Sequence, residues 1–388
     1  MRTSELFDLL RDGRPRTRSE LARATGLARS SVTAHVDALA RLGYVAPVGD
    51  AASTGGRPAS LFALNPRARL VAGVDVGATH ILVELADLAG AALATARTDL
   101  DVAEGPEAVL GWVVETVRAL VAQQGVDAGE LVALGIGLPG PVEHASGMPI
   151  SPPIMPGWHR FDVAGHLRER LGCAVLVDND VNIMALGEQR TAWPEVDDLV
   201  LVKVATGIGA GIISGGRLQR GAQGTAGDLG HVRVPGSEAE CRCGNLGCLE
   251  AVAAGPAIAA ALREHGLEVA GTGDVVALAR AGSPEAVRAL RQAGRDLGEV
   301  LATLVNLVNP SVIVVGGRLA GAGEELLAGI SEVVYRRSLP LATEHLRIAA
   351  STTQADAAVR GAVALAIEHA LSPDVLDAEA RELAIASA

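Results

Sequence analysis

Apolar positions follow two different periods along this chain. Near its start Val32, Val36, Leu39 and Leu42 recur at helical spacing, while Arg29, Ser30, Ser31, Thr33 and His35 face elsewhere. Just before them, Thr17-Arg-Ser-Glu20 has capping-box spacing and predicts a short helix from Ser19 to Thr25, closed by Gly26. Helix, glycine turn, helix is the layout of a helix-turn-helix, whose second helix lies in the DNA major groove. Val48 to Leu64 then reads as two short strands around the glycine-rich segment 53–58, a wing with Arg57 at its tip. From residue 67 the pattern changes to apolar strands that run into polar turns: Leu70 onward, Ile81 to Asp87, the run ending at Val177, Leu199 to Val204, Ile212–Ile213, and Val312 to Val315. These predict an α/β body behind a small helical head.

The length of 388 residues suggests two or three domains, and the 49% hydrophobic content supplies their cores. Aromatics are only 2%, which argues against a stacking platform for single-stranded nucleic acid. Net charge is −12, yet residues 1–66 carry nine arginines against six acids. A basic head can approach phosphates that an acidic body repels, and a solvated face gives the same count. Arg29 has the geometry to pair with guanine, Ser30, Ser31 and Thr33 suit base or phosphate, His35 is a further candidate DNA contact on the same helix, and Arg57 could reach the minor groove or a phosphate. The alternative for the head is a helical interaction module with no DNA role. No apolar stretch reads as a signal or membrane span, so a cytoplasmic location is expected. A single lysine, Lys203, stands against 32 arginines; GC-rich coding accounts for that usage, and no mechanism follows from it.

The strongest chemical signal is Cys241, Cys243 and Cys248 with His231 upstream and Glu250 just behind. Thiolates and imidazole are preferred Zn²⁺ ligands, and four of them close a structural shell. Disulfides are the other reading, though neighbouring Cys-x-Cys thiols are poorly placed to bridge each other. Cys173, in an apolar run, reads as a buried small hydrophobe.

Two turns have phosphate-loop character. Asp75, Gly77 and Thr79 form D-x-G-x-T after one strand, and Thr206, Gly207 and Gly209 form a glycine loop after another. Backbone amides and a Thr hydroxyl there can hold phosphate oxygens, and the Asp a hydrated Mg²⁺; ordinary turn geometry explains the same residues. Their recurrence suggests a duplicated fold with a cleft between its halves. Asn179 and Asp180 sit between a strand end and a helix start, where a carboxylate is placed either for general-base work or for helix capping.

Asp75-Val-Gly-Ala-Thr79, Gly135-Ile-Gly-Leu-Pro-Gly-Pro141, Asn179-Asp-Val-Asn182, Ala226-Gly-Asp-Leu-Gly-His231 and the cysteine motif through Glu250 together resemble the ROK family of sugar kinases and repressors. The likeness spans almost the whole chain, and the Gly-Gly-Arg-Pro58 wing resembles the repressor branch. It implies a winged helix-turn-helix over 1–66 and a two-lobed, actin-like hexokinase-type body over 67–388, the first lobe about 67–190 plus the C-terminal helix and the second about 191–355. It implies further that Asn179, Asp180, Asp228, His231 and Glu250 contact a sugar, that His231 also serves the metal, and that Asp180 is the catalytic base where such proteins are kinases. Trp158 resembles a residue near the sugar, where it either stacks or simply packs. The chain departs from the kinases at Ala78 and His80, where they carry glycine and lysine, and at Asp228, where many carry glutamate. The first two changes weaken ATP binding.

The expectation is a sugar-responsive transcriptional repressor with structural Zn²⁺, bound to double-stranded operator DNA as a homodimer or homotetramer. The alternative is an ATP- and Mg²⁺-dependent sugar kinase acting through Asp180.

Overall fold

The head opens with a helix that the apolar pattern did not predict, α1 (Thr3–Asp8), which packs on the helices after it. In this computed structural model, which describes residues 2–51, 58–152 and 154–386, a two-residue strand β1 (Arg16–Thr17) leads into α2 (Arg18–Thr25). The predicted capping box forms: the Thr17 hydroxyl accepts from the Glu20 amide, and the Glu20 carboxylate accepts the Thr17 amide at 2.7 Å. Gly26 ends the helix at a φ of 71°, the left-handed conformation that lets the chain turn into α3 (Arg29–Arg41). Val32, Val36 and Leu39 are fully buried, and Leu42 is the residue after the helix. β2 (Val45–Asp50) and β3 (Ser60–Leu64) form the antiparallel hairpin of the wing, and β1 completes a sheet in the order β1-β3-β2. The wing tip, including Arg57, lies outside the described residues.

Two five-stranded sheets repeat one plan in the body. The first contains β4 (Leu70–Val76), β5 (Ile81–Asp87) and β6 (Ala92–Thr98). After helix α4 (Pro106–Gln123) come β7 (Leu131–Leu138), the small hairpin β8 (Val142–Glu143) and β9 (Met148–Pro149), helix α5 (Val163–Leu171), and β10 (Ala174–Asn179). The sheet order is β10-β7-β4-β5-β6, with β4 antiparallel to β5 and parallel to β7. Helix α6 (Asp180–Ala192) leads to the second sheet. Its strands are β11 (Leu199–Val204), β12 (Ile208–Ser214) and β13 (Arg217–Gln219), then β14 (Val312–Gly316) and β15 (Arg347–Ala350). The order β13-β12-β11-β14-β15 has the same mixture of antiparallel and parallel pairs. Between β13 and β14 lie α7 (Leu249–Ala253), α8 (Gly255–Glu264), α9 (Thr272–Arg280) and the long α10 (Pro284–Val308); α11 (Glu325–Arg337) and α12 (Pro340–Thr343) precede β15.

The chain then returns as α13 (Ala357–Ala370), which lies on β4 and β7 and crosses α6 in backbone contact. A Cβ on Gly187 would overlap the Ala357 carbonyl, and one on Gly361 the Ile183 carbonyl, so glycine alone allows this approach. Helix α14 (Pro373–Ala386) carries on to the head. Ser4 donates both its amide (3.0 Å) and its hydroxyl (2.9 Å) to Asp377, and the Tyr44 hydroxyl donates to Glu379 at 3.2 Å. Leu6, Phe7, Val36 and Tyr44 of the head share one apolar cluster with Val71, Ala133, Val363 and Leu376. The head is therefore not a separate bead on a linker. Leu376→Ala, which empties a fully buried site in this shared core, is expected to cost about 2–4 kcal/mol by denaturant unfolding. A cost under about 0.5 kcal/mol would mean that the junction does not hold the head.

Candidate functional site

The loop before α7 folds back so that His231, Cys241, Cys243 and Cys248 bring their ligand atoms within 4.8 Å of one another. Cys241 Sγ lies 3.7 Å from His231 Nδ1, Cys243 Sγ lies 3.7 Å from Cys248 Sγ, and all four cysteines of the chain are free thiols. Three soft sulfurs and one imidazole are the donor set of a structural zinc centre. Their mutual electrostatics favour a cation. The Asn245 backbone amide holds the Cys243 thiol down to about 7, whereas burial and the neighbouring sulfurs push Cys248 up to about 12. A divalent ion would relieve that conflict. Cys173 is buried outside the cluster, and burial pushes its thiol up to about 11.

This loop is tied to the cleft through β12. Glu250, near the start of α7, accepts the Ile208 amide at 3.2 Å, and the Gly227 carbonyl accepts the Ala210 amide at 2.7 Å. On its other face β12 packs against the start of α6, where Gly209 and Gly211 leave room for Val181 and Ala185. Gly209 is a strand residue paired with Lys203, just after the Thr206–Gly207 turn. Gly211 is glycine for packing: a side chain there would strike Ala185 and the Val181 carbonyl. Thr206 is exposed and Gly207 half-buried in the tight turn before β12.

Asn179 caps α6: its Oδ1 accepts the Val181 amide at 2.9 Å, and its Nδ2 donates to the Gly140 carbonyl at 2.8 Å. Asp180, the first residue of α6, is 5% exposed, and its carboxylate accepts from Lys203 Nζ at 2.5 Å. Asp75 is buried at the end of β4, 3.4 Å from His80 Nε2. The Gly77 amide donates to the His80 carbonyl at 2.8 Å, and the His80 ring covers Gly77 so closely that a Cβ there would overlap it. Thr79 and Asp228 are exposed, as is His231. Trp158 is not a stacking platform; it is fully buried in the first lobe and donates its indole N–H to the Val102 carbonyl at 3.1 Å.

Local spacing gave no sign of two of these contacts. One is Lys203 on Asp180. The other is Asp178, whose carboxylate accepts from Arg220 Nε at 2.6 Å and from Asn182 Nδ2 at 2.7 Å. Since Asp178 is the penultimate residue of β10 and Arg220 follows β13, this pair joins the two lobes.

On the head, Arg29, Ser30 and Ser31 are exposed at the start of α3, and Thr33 is half-buried. His35 is turned inward, with Nδ1 3.0 Å from the Thr3 hydroxyl, because α1 covers that side of α3. Arg18 lies over the Phe62 ring at 4.3 Å and pairs with Asp37 at 2.6 Å, bracing α2, α3 and the wing.

Two five-stranded sheets of one plan, with a winged helix-turn-helix packed on the first, define a hexokinase-type fold joined to a DNA-binding head. The chain belongs to the ROK family, which it matches over residues 71–369, and residues 1–49 match the IclR helix-turn-helix domain. It is 28% identical to the xylose repressor of Caldicellulosiruptor bescii over 370 residues, covering 92% of each chain. The crystal structure of a ROK family transcriptional regulator, a homologue of the Escherichia coli MLC protein, superposes with a TM-score of 0.84 at 27% identity, covering 98% of both chains. The ROK hexokinase of Thermus thermophilus is 32% identical and superposes with a TM-score of 0.67, covering 77% of this chain and 98% of its own. The family thus holds both regulators and kinases.

Proposed function

We propose that this protein is a sugar-responsive DNA-binding transcription regulator, a repressor whose grip on its operator changes when a sugar occupies the interlobe cleft. The observation that carries this reading is the shared core of head and body. Helix α6 begins with the cleft residue Asp180, crosses α13 through paired glycines, and α13 leads directly to α14, which holds the head. A shift of the lobes reaches the recognition helix through packed helices. Similarity over nearly the full length to a xylose repressor supports the same reading, whereas the likeness to a hexokinase accounts for the body alone.

In this reading Asp180, Asp228, His231 and Glu250 take the sugar hydroxyls, with Asn179 contributing what its capping role leaves free. Zinc held by His231, Cys241, Cys243 and Cys248 would supply rigidity, fixing the loop that presents three of these groups. Operator DNA meets Arg29, Ser30, Ser31 and Thr33, with Arg57 from the wing. Palindromic operators call for at least a dimer, and such a protein works in the cytoplasm, where the DNA is. Switching needs the sugar to favour one lobe arrangement by a few kcal/mol. Among the described residues, no helix is long and apolar enough to cross a membrane.

The test is binding to fragments of the protein's own promoter at fixed salt, with and without hexoses, pentoses and amino sugars. One sugar that changes specific binding supports the proposal, and no specific binding under any condition defeats it. Arg29→Ala is expected to weaken operator binding by about 1–3 kcal/mol and to relax base preference. An unaltered footprint would remove Arg29 from the readout. The competing kinase reading draws on Asp180 at the start of α6, and sugar-dependent ADP release would favour it.

A further inference from the structure

Lys203 sits where a lysine is costly. Every other residue of β11, Leu199, Val200, Leu201, Val202 and Val204, is fully buried, and the strand is central in its sheet. A chain that uses arginine 32 times uses its one lysine here. The ammonium bonds Asp180 and lies close enough to Asp75 to feel its charge. Burial opposes that charge, but Asp180 and then Asp75 outweigh it, so the group stays protonated well above neutral pH.

Mg²⁺–ATP, which phosphoryl transfer would require, does not fit these residues. A fixed positive charge already hydrogen-bonds the carboxylate that would take the hydroxyl proton, and Asp75, the carboxylate that would hold the metal, is already met by His80 Nε2 at 3.4 Å. The phosphate turn is filled as well, since the Gly77 amide is spent on His80 and the His80 ring covers the backbone. We propose that Lys203 is the built-in cation of this site: bonded to Asp180, its charge repels a metal from the neighbouring carboxylates, Asp75 included, and it holds Asp180 as an acceptor for ligand hydroxyls rather than as a base. The site then binds its sugar without metal or nucleotide. This rests on the reading of the cleft as the ligand site.

The experiment uses the full-length, zinc-loaded protein and Mn²⁺ alone as probe, followed by electron paramagnetic resonance. Lys203→Met is expected to bind Mn²⁺ tighter than the wild type by roughly tenfold or more, equivalent to about 1.4 kcal/mol of relieved repulsion. The gain should vanish in Lys203→Met/Asp75→Asn, and Lys203→Arg, which keeps the charge, should bind as the wild type does. Unchanged Mn²⁺ affinity in Lys203→Met, a gain that survives loss of Asp75, or an equal gain in Lys203→Arg would each overturn the proposal. If Lys203→Met loses its zinc or its cooperative melt, Lys203→Gln answers the same question. Because neither sugar nor DNA enters the measurement, its failure is distinct from failure of the regulator reading.

Discussion

Cys243→Ser is expected to strip the metal from the protein, taking zinc from about one ion per chain to near none by elemental analysis. Serine offers a hard oxygen of high pKa where the shell needs a soft thiolate, and the three remaining donors are left facing one another. The damage should spread, because the same loop supports Glu250 on the Ile208 amide and packs Gly227 on β12. Structural zinc supplies folding free energy directly, so a loss of several kcal/mol and a fall in Tm on the order of 10 °C are expected. Acid should act in the same direction, since protons compete with the metal for sulfur and imidazole. Zinc content unchanged in the variant would refute the assignment.

Asp180→Asn should abolish the sugar response. An ionised acceptor of ligand hydroxyls is worth about 1.5–3 kcal/mol per bond, so affinity falls by roughly 100-fold when it is neutralised. The substitution also leaves the Lys203 ammonium without its counter-ion. Breaking a sealed pair costs about 3–5 kcal/mol; here the lysine side chain is 28% exposed, and about 2 kcal/mol is the reasonable expectation. Adding Lys203→Met should restore stability without restoring sugar binding, and that double-mutant pattern separates the two roles. Normal calorimetric binding in Asp180→Asn would mean that the sugar sits elsewhere.

What the sequence disclosed depended on the range of the interaction. The Thr17–Glu20 box, the Gly26 turn, the apolar face of α3 and the gathering of His231 with three cysteines are all set within a few residues or a short loop, and each stands in the structure. Contacts between distant segments left no local trace. Nothing near Lys203 in sequence points to its partner Asp180, and nothing around Asp178, near the end of β10, points to Arg220. Helix α1 escaped notice because six residues are too few to display a period, and with it went the reason that His35 faces inward. Gly209 and Gly211 also show that glycine in a turn and glycine under a closely packed helix look the same in sequence.

The bond from Ser4 to Asp377 spans 373 positions, and this has a bearing on synthesis. At about 5–20 residues per second, the head leaves the ribosome tens of seconds before the helix that fixes it. During that interval its recognition helix has no defined bearing on the lobes. A translation product that stops short of α14 would carry the reading surface without its aim, so only finished chains can occupy an operator in register.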